Sequence, residues 1–175
     1  SQHLNEKKSH LGVDYFEKMH IIKNRKEDEV AIMLIQFNFK NFRSFREEAT
    51  LDLSATKMTE FSERVVTIGR EKILPVAAIY GANASGKSNI YSAFEYMAEY
   101  VVDSFKYGDE EEKFEEYRPT PFLFDSTSAD AESSFEVYFT IPGDKNEKTY
   151  NYGFCVDQEG VTEEWLNSKA KTARK

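Results

Sequence analysis

A chain of 175 residues, of which 40% are hydrophobic and 14% aromatic, has enough apolar side chains to bury the core of one globular domain. Its formal net charge of -8 argues against a broad basic face, and therefore against nonspecific nucleic-acid binding by this segment alone. No apolar run approaches the roughly 18 residues that cross a bilayer, and no signal peptide opens the chain, so we expect a cytoplasmic protein without a membrane partner. The single cysteine, Cys155, cannot form an internal disulfide.

Residues 1–32 are rich in polar side chains, and we interpret them as an extension outside the domain that follows. The native start is either Ser1 or Met33, and the sequence leaves both open. Three histidines of the extension lack cysteine partners and a His-x-x-x-His spacing, so they do not indicate a zinc site: His3, His10 and His20.

Two antiparallel strands are predicted next, over residues 34–42 and 50–53, and a third strand over residues 73–80. The third is a near-continuous apolar run, Ile-Leu-Pro-Val-Ala-Ala-Ile-Tyr, which is typical of a parallel strand buried on both faces. It ends at Gly81, so we expect it to lead directly into the loop that begins there.

Residues 81–88 read Gly-Ala-Asn-Ala-Ser-Gly-Lys-Ser and fit the phosphate-binding pattern G-x-x-x-x-G-K-[ST]. Glycines let the backbone approach phosphate closely, successive N–H groups form an anion-binding nest, and the following helix adds its positive end. In this pattern Lys87 contacts the β- and γ-phosphates and Ser88 contacts Mg²⁺. A helix to about residue 105 is predicted from apolar residues at helical spacing: Ile90, Ala93, Phe94, Met97, Val101 and Phe105.

A β-rich segment is predicted over residues 134–166. Apolar and polar side chains alternate over residues 134–141, turn-forming residues occupy positions 142–146, and the alternation resumes over residues 150–157. This order predicts a hairpin. A further strand is predicted over residues 161–166.

The chain is therefore divided into a polar extension over residues 1–32, a head over residues 33–168 and a basic tail over residues 169–175. Inside the head, the acidic residues 109–116 show no metal-ligand spacing and are interpreted as a solvated loop. The basic tail is interpreted as a solvated or cut end, and we expect it to be a truncation point.

These segments resemble the ATPase heads of the SMC, RecF and OLD (overcoming lysogenization defect) type, and most closely the bacterial AAA-family ATP-binding proteins of the abortive-infection and OLD-like group. The resemblance begins in the first strand, which reads Met-Leu-Ile-Gln-Phe-Asn-Phe-Lys-Asn-Phe-Arg-Ser-Phe over residues 33–45. Phosphate loops of this type commonly read Gly-x-Asn-Gly-Ser-Gly-Lys-Ser, and only Ala84 departs from that pattern. The resemblance continues through the β-rich segment to about residue 166.

The resemblance implies an α/β P-loop NTPase fold, namely the N-terminal part of an ABC-ATPase-like head in which antiparallel strands flank the phosphate-loop strand and helix. It also implies ATP and Mg²⁺ as cofactors and a homodimer formed through two heads in the full-length protein, and it leaves nucleic acid open as a partner. Asn83 is expected near the γ-phosphate, and Arg43 is either beside the nucleotide or a solvated charge at a strand end. Phe42 and Phe45 are expected in the core. The implied nucleotide-binding residues are Gly81, Asn83, Ala84, Ser85, Gly86, Lys87, Ser88, Asn89, Arg43 and Ser44.

A P-loop enzyme that hydrolyses its nucleotide also needs a carboxylate at the end of a second buried strand, to hold Mg²⁺ or its water. Asp157 and, more weakly, Asp125 follow apolar runs, but Asp157 ends an alternating strand in a turn, which favours a hairpin. The chain also lacks a Leu-Ser-Gly-Gly-like signature of ABC-type heads. Three hypotheses stay open: the front of a dimerising ATPase that acts on DNA or in phage defence, a complete small NTPase or kinase that uses Asp157, and a module that binds nucleotide without hydrolysis.

Overall fold

The structure of the protein, a computed structural model, describes residues 32–55, 60, 62–103, 117–141 and 148–170. Several predictions concern residues outside these ranges. They are the helix end near Phe105, the acidic loop, the hairpin turn, and nearly all of the N-terminal extension and the basic tail.

The described part of the chain contains seven strands and one long helix. The strands are β1 (Met33–Lys40), β2 (Ala49–Asp52), β3 (Val66–Ile68), β4 (Glu71–Ile73), β5 (Ser133–Thr140), β6 (Thr149–Val156) and β7 (Val161–Lys169). The long helix is α1 (Lys87–Asp103), and two short helical turns are a 3-10 helix (Ser62–Arg64) and α2 (Ser126–Ala129).

Five strands form an antiparallel sheet in the spatial order β2-β1-β5-β6-β7. Alternate side chains of a strand point to opposite faces, and the phenylalanines of the central strands share one face. Phe37 and Phe39 of β1 and Phe135 of β5 are fully buried there. The first two strands, the two strands of the hairpin and the strand after it were all predicted from the sequence, and all five are confirmed.

Helix α1 covers the apolar face of this sheet. Its ring contacts include Phe94 with Phe37 at 5.2 Å between centroids, and Tyr100 with Phe154 at 5.0 Å. Ala93, Met97 and Val101 are buried in the same interface, as their spacing predicted. Within the described residues, no helix is both long and apolar enough to span a bilayer.

The predicted strand over residues 73–80 is wrong. Only Ile73 belongs to a strand, at the end of β4, which pairs with β3. Leu74 donates to the carbonyl of Leu53, and Pro75 follows, which has no N–H for a ladder hydrogen bond. Residues 76–80 belong to no helix or strand of the described part of the chain, and Tyr80 is 89% exposed. An apolar run forms a buried strand only when neighbouring strands cover it.

Candidate phosphate-binding site

The candidate site is built around the loop at residues 81–86, which leads into α1. Two of its residues lie in the left-handed region, Ala84 with φ 62° and Gly86 with φ 88°. Left-handed residues between ordinary ones turn successive N–H groups toward one side, which creates an anion-binding concavity. A left-handed conformation costs a residue that carries a Cβ about 1–2 kcal/mol, so Ala84 holds this geometry under strain.

The two glycines of the pattern leave space for close contacts. A Cβ on Gly86 would lie 2.9 Å from Ser44 Oγ and 3.3 Å from the ring of Phe45. A Cβ on Gly81 would lie 2.8 Å from Ser85 Oγ. At either position, a residue larger than glycine would fit only if the neighbouring side chain moved.

Lys87 folds back over the first part of the loop. Its Nζ donates hydrogen bonds to the carbonyl oxygens of Gly81 at 2.9 Å and Ala82 at 2.5 Å. An ammonium group has three N–H donors, so Lys87 can hold both carbonyls and still donate to a phosphate oxygen. The residue thus fixes the loop and supplies a positive charge at its opening.

The start of α1 has the properties of an anion site. The first N–H groups of a helix have no partner inside it, and the helix dipole is positive at this end. The first turn of α1 carries no acidic residue that would neutralise this end. Ser88, exposed in that turn, offers a hydroxyl of the kind that ligates Mg²⁺, which keeps water and phosphate oxygens as its other ligands.

The opposite wall of the site comes from the tight turn after β1, residues 42–45. Phe42 and Phe45 exchange two backbone hydrogen bonds, of 2.8 and 2.9 Å, which close the turn. Ser44 projects toward the loop, and its Oγ accepts a hydrogen bond of 2.8 Å from Asn89 Nδ2 in the first turn of α1. Sheet and helix therefore meet at the loop through one polar side-chain contact.

Arg43 occupies the same turn in a strained backbone conformation, with φ 50°. Its guanidinium carbon lies 5.3 Å from the ring centroid of Phe42, and the side chain is exposed. Arg43 precedes Ser44 and stacks on a buried ring, and its role beside the nucleotide stays a prediction. Phe42 is 1% exposed, and Phe45 packs on Phe39 at 4.9 Å, so the predicted core role of the two rings is confirmed.

Between the two walls lies an open cleft of about 200 Å³. It is lined by Ser44, Ala84, Ser85, Gly86, Lys87, Ser88 and Asn89. Seven of the predicted nucleotide-binding residues thus meet in one cleft. The other three are not among the lining residues: Gly81 and Asn83 belong to the loop, and Arg43 precedes Ser44 in the turn.

Sequence reasoning missed the residue that supports the turn. Asn41 is 3% exposed and has φ 52°. Its Nδ2 donates to the carbonyls of Ser128 and Ala131, both at 2.9 Å, and its Oδ1 accepts from the N–H of Phe122 at 3.0 Å. Asn is one of the few residues that tolerate a left-handed backbone, so an Asn after a strand was the available signal.

Asp157, considered as a metal carboxylate, has a different role in the structure. Its Oδ1 accepts hydrogen bonds from the N–H groups of Glu159 at 2.8 Å and Gly160 at 3.0 Å, which closes the turn between β6 and β7. Together with burial, which is the larger cause, its charge raises the pKa of Tyr100 to about 12. Tyr100 lies about 20 Å along α1 from Lys87, because each helical residue rises 1.5 Å. Asp157 therefore lies near the C-terminal half of α1, away from the phosphate loop.

Asp125 is likewise occupied. It caps α2, accepting from the N–H and the hydroxyl of Thr127 at 3.1 and 2.7 Å, and it pairs with Arg46 at 3.3 Å. The hydrogen bonds from Thr127 hold the pKa of this carboxyl below its usual range. Among the described residues, no three His, Cys, Asp or Glu side chains gather at a metal-sized site.

The chain matches the model of a protein family. The family described as "AAA domain, putative AbiEii toxin, Type IV TA system" matches residues 76–175, which is more than half of the chain. The chain belongs to this AAA-domain family. Searches of curated proteins and of solved structures gave no match.

The matched range of this AAA domain begins just before the phosphate loop and includes α1 and the β5–β7 strands. The domain is thus a P-loop NTPase with an α/β fold whose larger sheet is antiparallel. AAA domains of this kind bind nucleotide, and as P-loop ATPases they use ATP and Mg²⁺. The turn that carries Ser44 lies outside the matched range, and its contact with α1 is seen in the structure.

Proposed function

We propose that this AAA domain binds Mg-ATP in the cleft between the phosphate loop and the turn after β1. The single observation that carries the proposal is the loop itself. Lys87, the left-handed residues Ala84 and Gly86, and an acid-free helix start all direct positive potential toward one cleft. The residues present therefore fit a polyphosphate.

In this proposal each group has a defined task. The N–H groups of Ala84 and of residues 86–88 donate to phosphate oxygens, and Lys87 neutralises their charge while it keeps the loop closed. The Ser88 hydroxyl supplies one oxygen ligand for Mg²⁺. The metal, when bound, would offset charge between the phosphates and orient them.

We further propose that hydrolysis takes place in a dimer of heads, of the SMC, RecF and OLD type, because neither Asp157 nor Asp125 is placed to act at the cleft. The 175-residue chain would then bind ATP and turn it over slowly. A role in phage defence is supported by the family description, which names a toxin of a toxin–antitoxin system. DNA-related work is supported only by the resemblance of the first strand and loop.

The test is calorimetric titration of the purified chain with Mg-ATP, beside phosphate release under the same conditions. We expect Lys87→Ala to weaken binding at least about tenfold, since a hydrogen bond to a charged group contributes about 1.5–3 kcal/mol. Lys169→Ala is the matched control, because Lys169 is exposed on the edge strand β7. Equal affinity of wild type and Lys87→Ala would contradict the proposed site. Binding without phosphate release, also in longer forms of the protein, would favour a nucleotide-binding module over an ATPase.

A further inference from the structure

We propose that Asn89 is a positioning residue for nucleotide binding, and that it acts through Ser44. By donating an N–H to Ser44 Oγ, Asn89 leaves the Ser44 hydroxyl proton directed into the cleft, as an additional donor to a phosphate oxygen. The inference rests on the proposed function and adds a contributor from the sheet side of the cleft.

The hydrogen-bond chemistry of the pair gives the direction of the proton. A serine hydroxyl has one donor and two acceptor sites, whereas an amide NH₂ group is only a donor. Because Asn89 Nδ2 donates to Ser44 Oγ at 2.8 Å, the Ser44 proton cannot lie on that line. Ser44 lines the cleft, so the cleft is where the proton finds an anionic acceptor.

The position of Ser44 is set before any ligand arrives. The backbone N–H of Arg43 donates to the carbonyl of Thr120 at 2.8 Å, and Asn41 ties the start of the turn to residues 128–132 through its side chain. The ring of Phe45 fills the space beside Gly86. A donor held in place in this way loses little conformational entropy on binding, which favours affinity.

The position of Asn89 is equally defined. It is the third residue of α1, half-buried, and its backbone N–H donates to the carbonyl of Gly86 at 2.9 Å. Its side chain reaches Ser44, 45 positions earlier in the chain. The amide thus connects the helix start, where phosphate is expected, with the turn of the antiparallel sheet.

The rival explanation is that the Asn89–Ser44 hydrogen bond only holds the helix against the sheet. Asn89→Asp separates this structural role from the proposed role in binding. Aspartate has nearly the same shape but only accepts hydrogen bonds, so Ser44 would turn its proton to residue 89 and away from the cleft. A hydrogen bond between residue 89 and Ser44 would still form in this variant. Negative charge in the first helical turn is itself stabilising, so the fold is expected to stay at least as stable.

The experiment is a double-mutant cycle on the dissociation constant of Mg-ATP, using the full chain as wild type, Ser44→Ala, Asn89→Asp and the double variant. We expect Ser44→Ala to weaken binding about tenfold in the wild-type background, as for a hydrogen bond to a charged group, and less than about twofold in the Asn89→Asp background. Repulsion between Asp at position 89 and the phosphates is present in both Asn89→Asp and the double variant, so it cancels when these two affinities are compared. Urea unfolding of Asn89→Asp should show no loss of stability.

Two further sets of variants complete the test. Ser44→Thr keeps the hydroxyl and is expected to stay within about threefold of wild type. Ser168→Ala and Asn167→Asp change the same residue types at exposed positions of β7 and serve as matched controls.

The outcomes separate the inference from the proposed function. If wild type binds Mg-ATP and Lys87→Ala does not, an unchanged affinity of Ser44→Ala overturns the inference alone. Equal costs of Ser44→Ala in both backgrounds overturn it too, since Ser44 would then act without Asn89. If wild type shows no binding, the proposed function fails and the inference fails with it.

Discussion

Gly86→Ala is expected to weaken Mg-ATP binding about tenfold to a hundredfold. The added Cβ meets Ser44 Oγ at 2.9 Å and the Phe45 ring at 3.3 Å, and neither neighbour moves freely, because Ser44 is bonded to Asn89 and Phe45 packs on Phe39. At φ 88° the alanine is also strained by about 1–2 kcal/mol. A loop that relaxes to relieve this strain turns one or two N–H donors away from the phosphates, at about 1.5–3 kcal/mol each.

Gly81→Ala is the matched comparison, because the same methyl group enters the same loop. Its Cβ meets only the end of the Ser85 side chain closely, at 2.8 Å, and Ser85 is exposed and can rotate. Gly81 is also not among the residues with positive φ. We therefore expect Gly81→Ala to stay within about threefold of wild type, since an off-rotamer side chain costs only about 0.5–1.5 kcal/mol.

Calorimetric titration measures both affinities, and urea unfolding of each variant shows whether the fold is retained. The reasoning is refuted if Gly81→Ala loses as much affinity as Gly86→Ala, or if Gly86→Ala binds like wild type. The first result would mean that backbone angle and neighbour rigidity do not decide the cost. The second would mean that the left-handed residue at 86 is not needed for phosphate binding.

Two predictions concern the sheet. Gly153→Ala should lower the free energy of unfolding by about 2–3 kcal/mol, because the added Cβ would collide with the Trp165 ring and lie 2.7 Å from the carbonyl oxygen of Phe135. Urea unfolding followed by circular dichroism measures this loss. A loss under 0.5 kcal/mol would contradict the prediction. Burial, with Glu132 nearby, raises the pKa of the Cys155 thiol to about 11, above its ordinary 9.0. The neutral thiol therefore contributes stability that is complete below pH 9 and lost as the pH rises toward 11. Wild type should lose more stability than Cys155→Ala between pH 8.5 and about 11, and parallel pH profiles would refute this.

Local pattern was enough to predict most of the antiparallel sheet and α1. Side chains in a strand alternate between two faces and those in a helix repeat every 3.6 residues, so burial on one face leaves a readable period in the sequence. The phosphate loop was predictable for a related reason. Its residue types are each required by the close approach of backbone to phosphate.

Features that depend on distant parts of the chain were not predictable. The run from Val76 to Tyr80 is apolar, but its burial depends on neighbouring strands. Among the described residues, no strand pairs with it. The support of the turn by Asn41 depends on carbonyl groups about ninety positions later. Glycine at 153 signals a close approach, but the sequence does not say that the approaching group is Trp165.

The pairing of β1 with β5 sets the order in which the cleft can be completed during synthesis. Asn38 and Glu136, joined across these strands, are 98 positions apart. At about 5–20 residues per second, a ribosome needs roughly 5–20 s to make the intervening segment. The phosphate loop is made early in that interval, whereas the carbonyls that hold Asn41, and through it Ser44, are made near its end. A nascent chain therefore carries its phosphate loop well before it can form the opposite wall of the cleft.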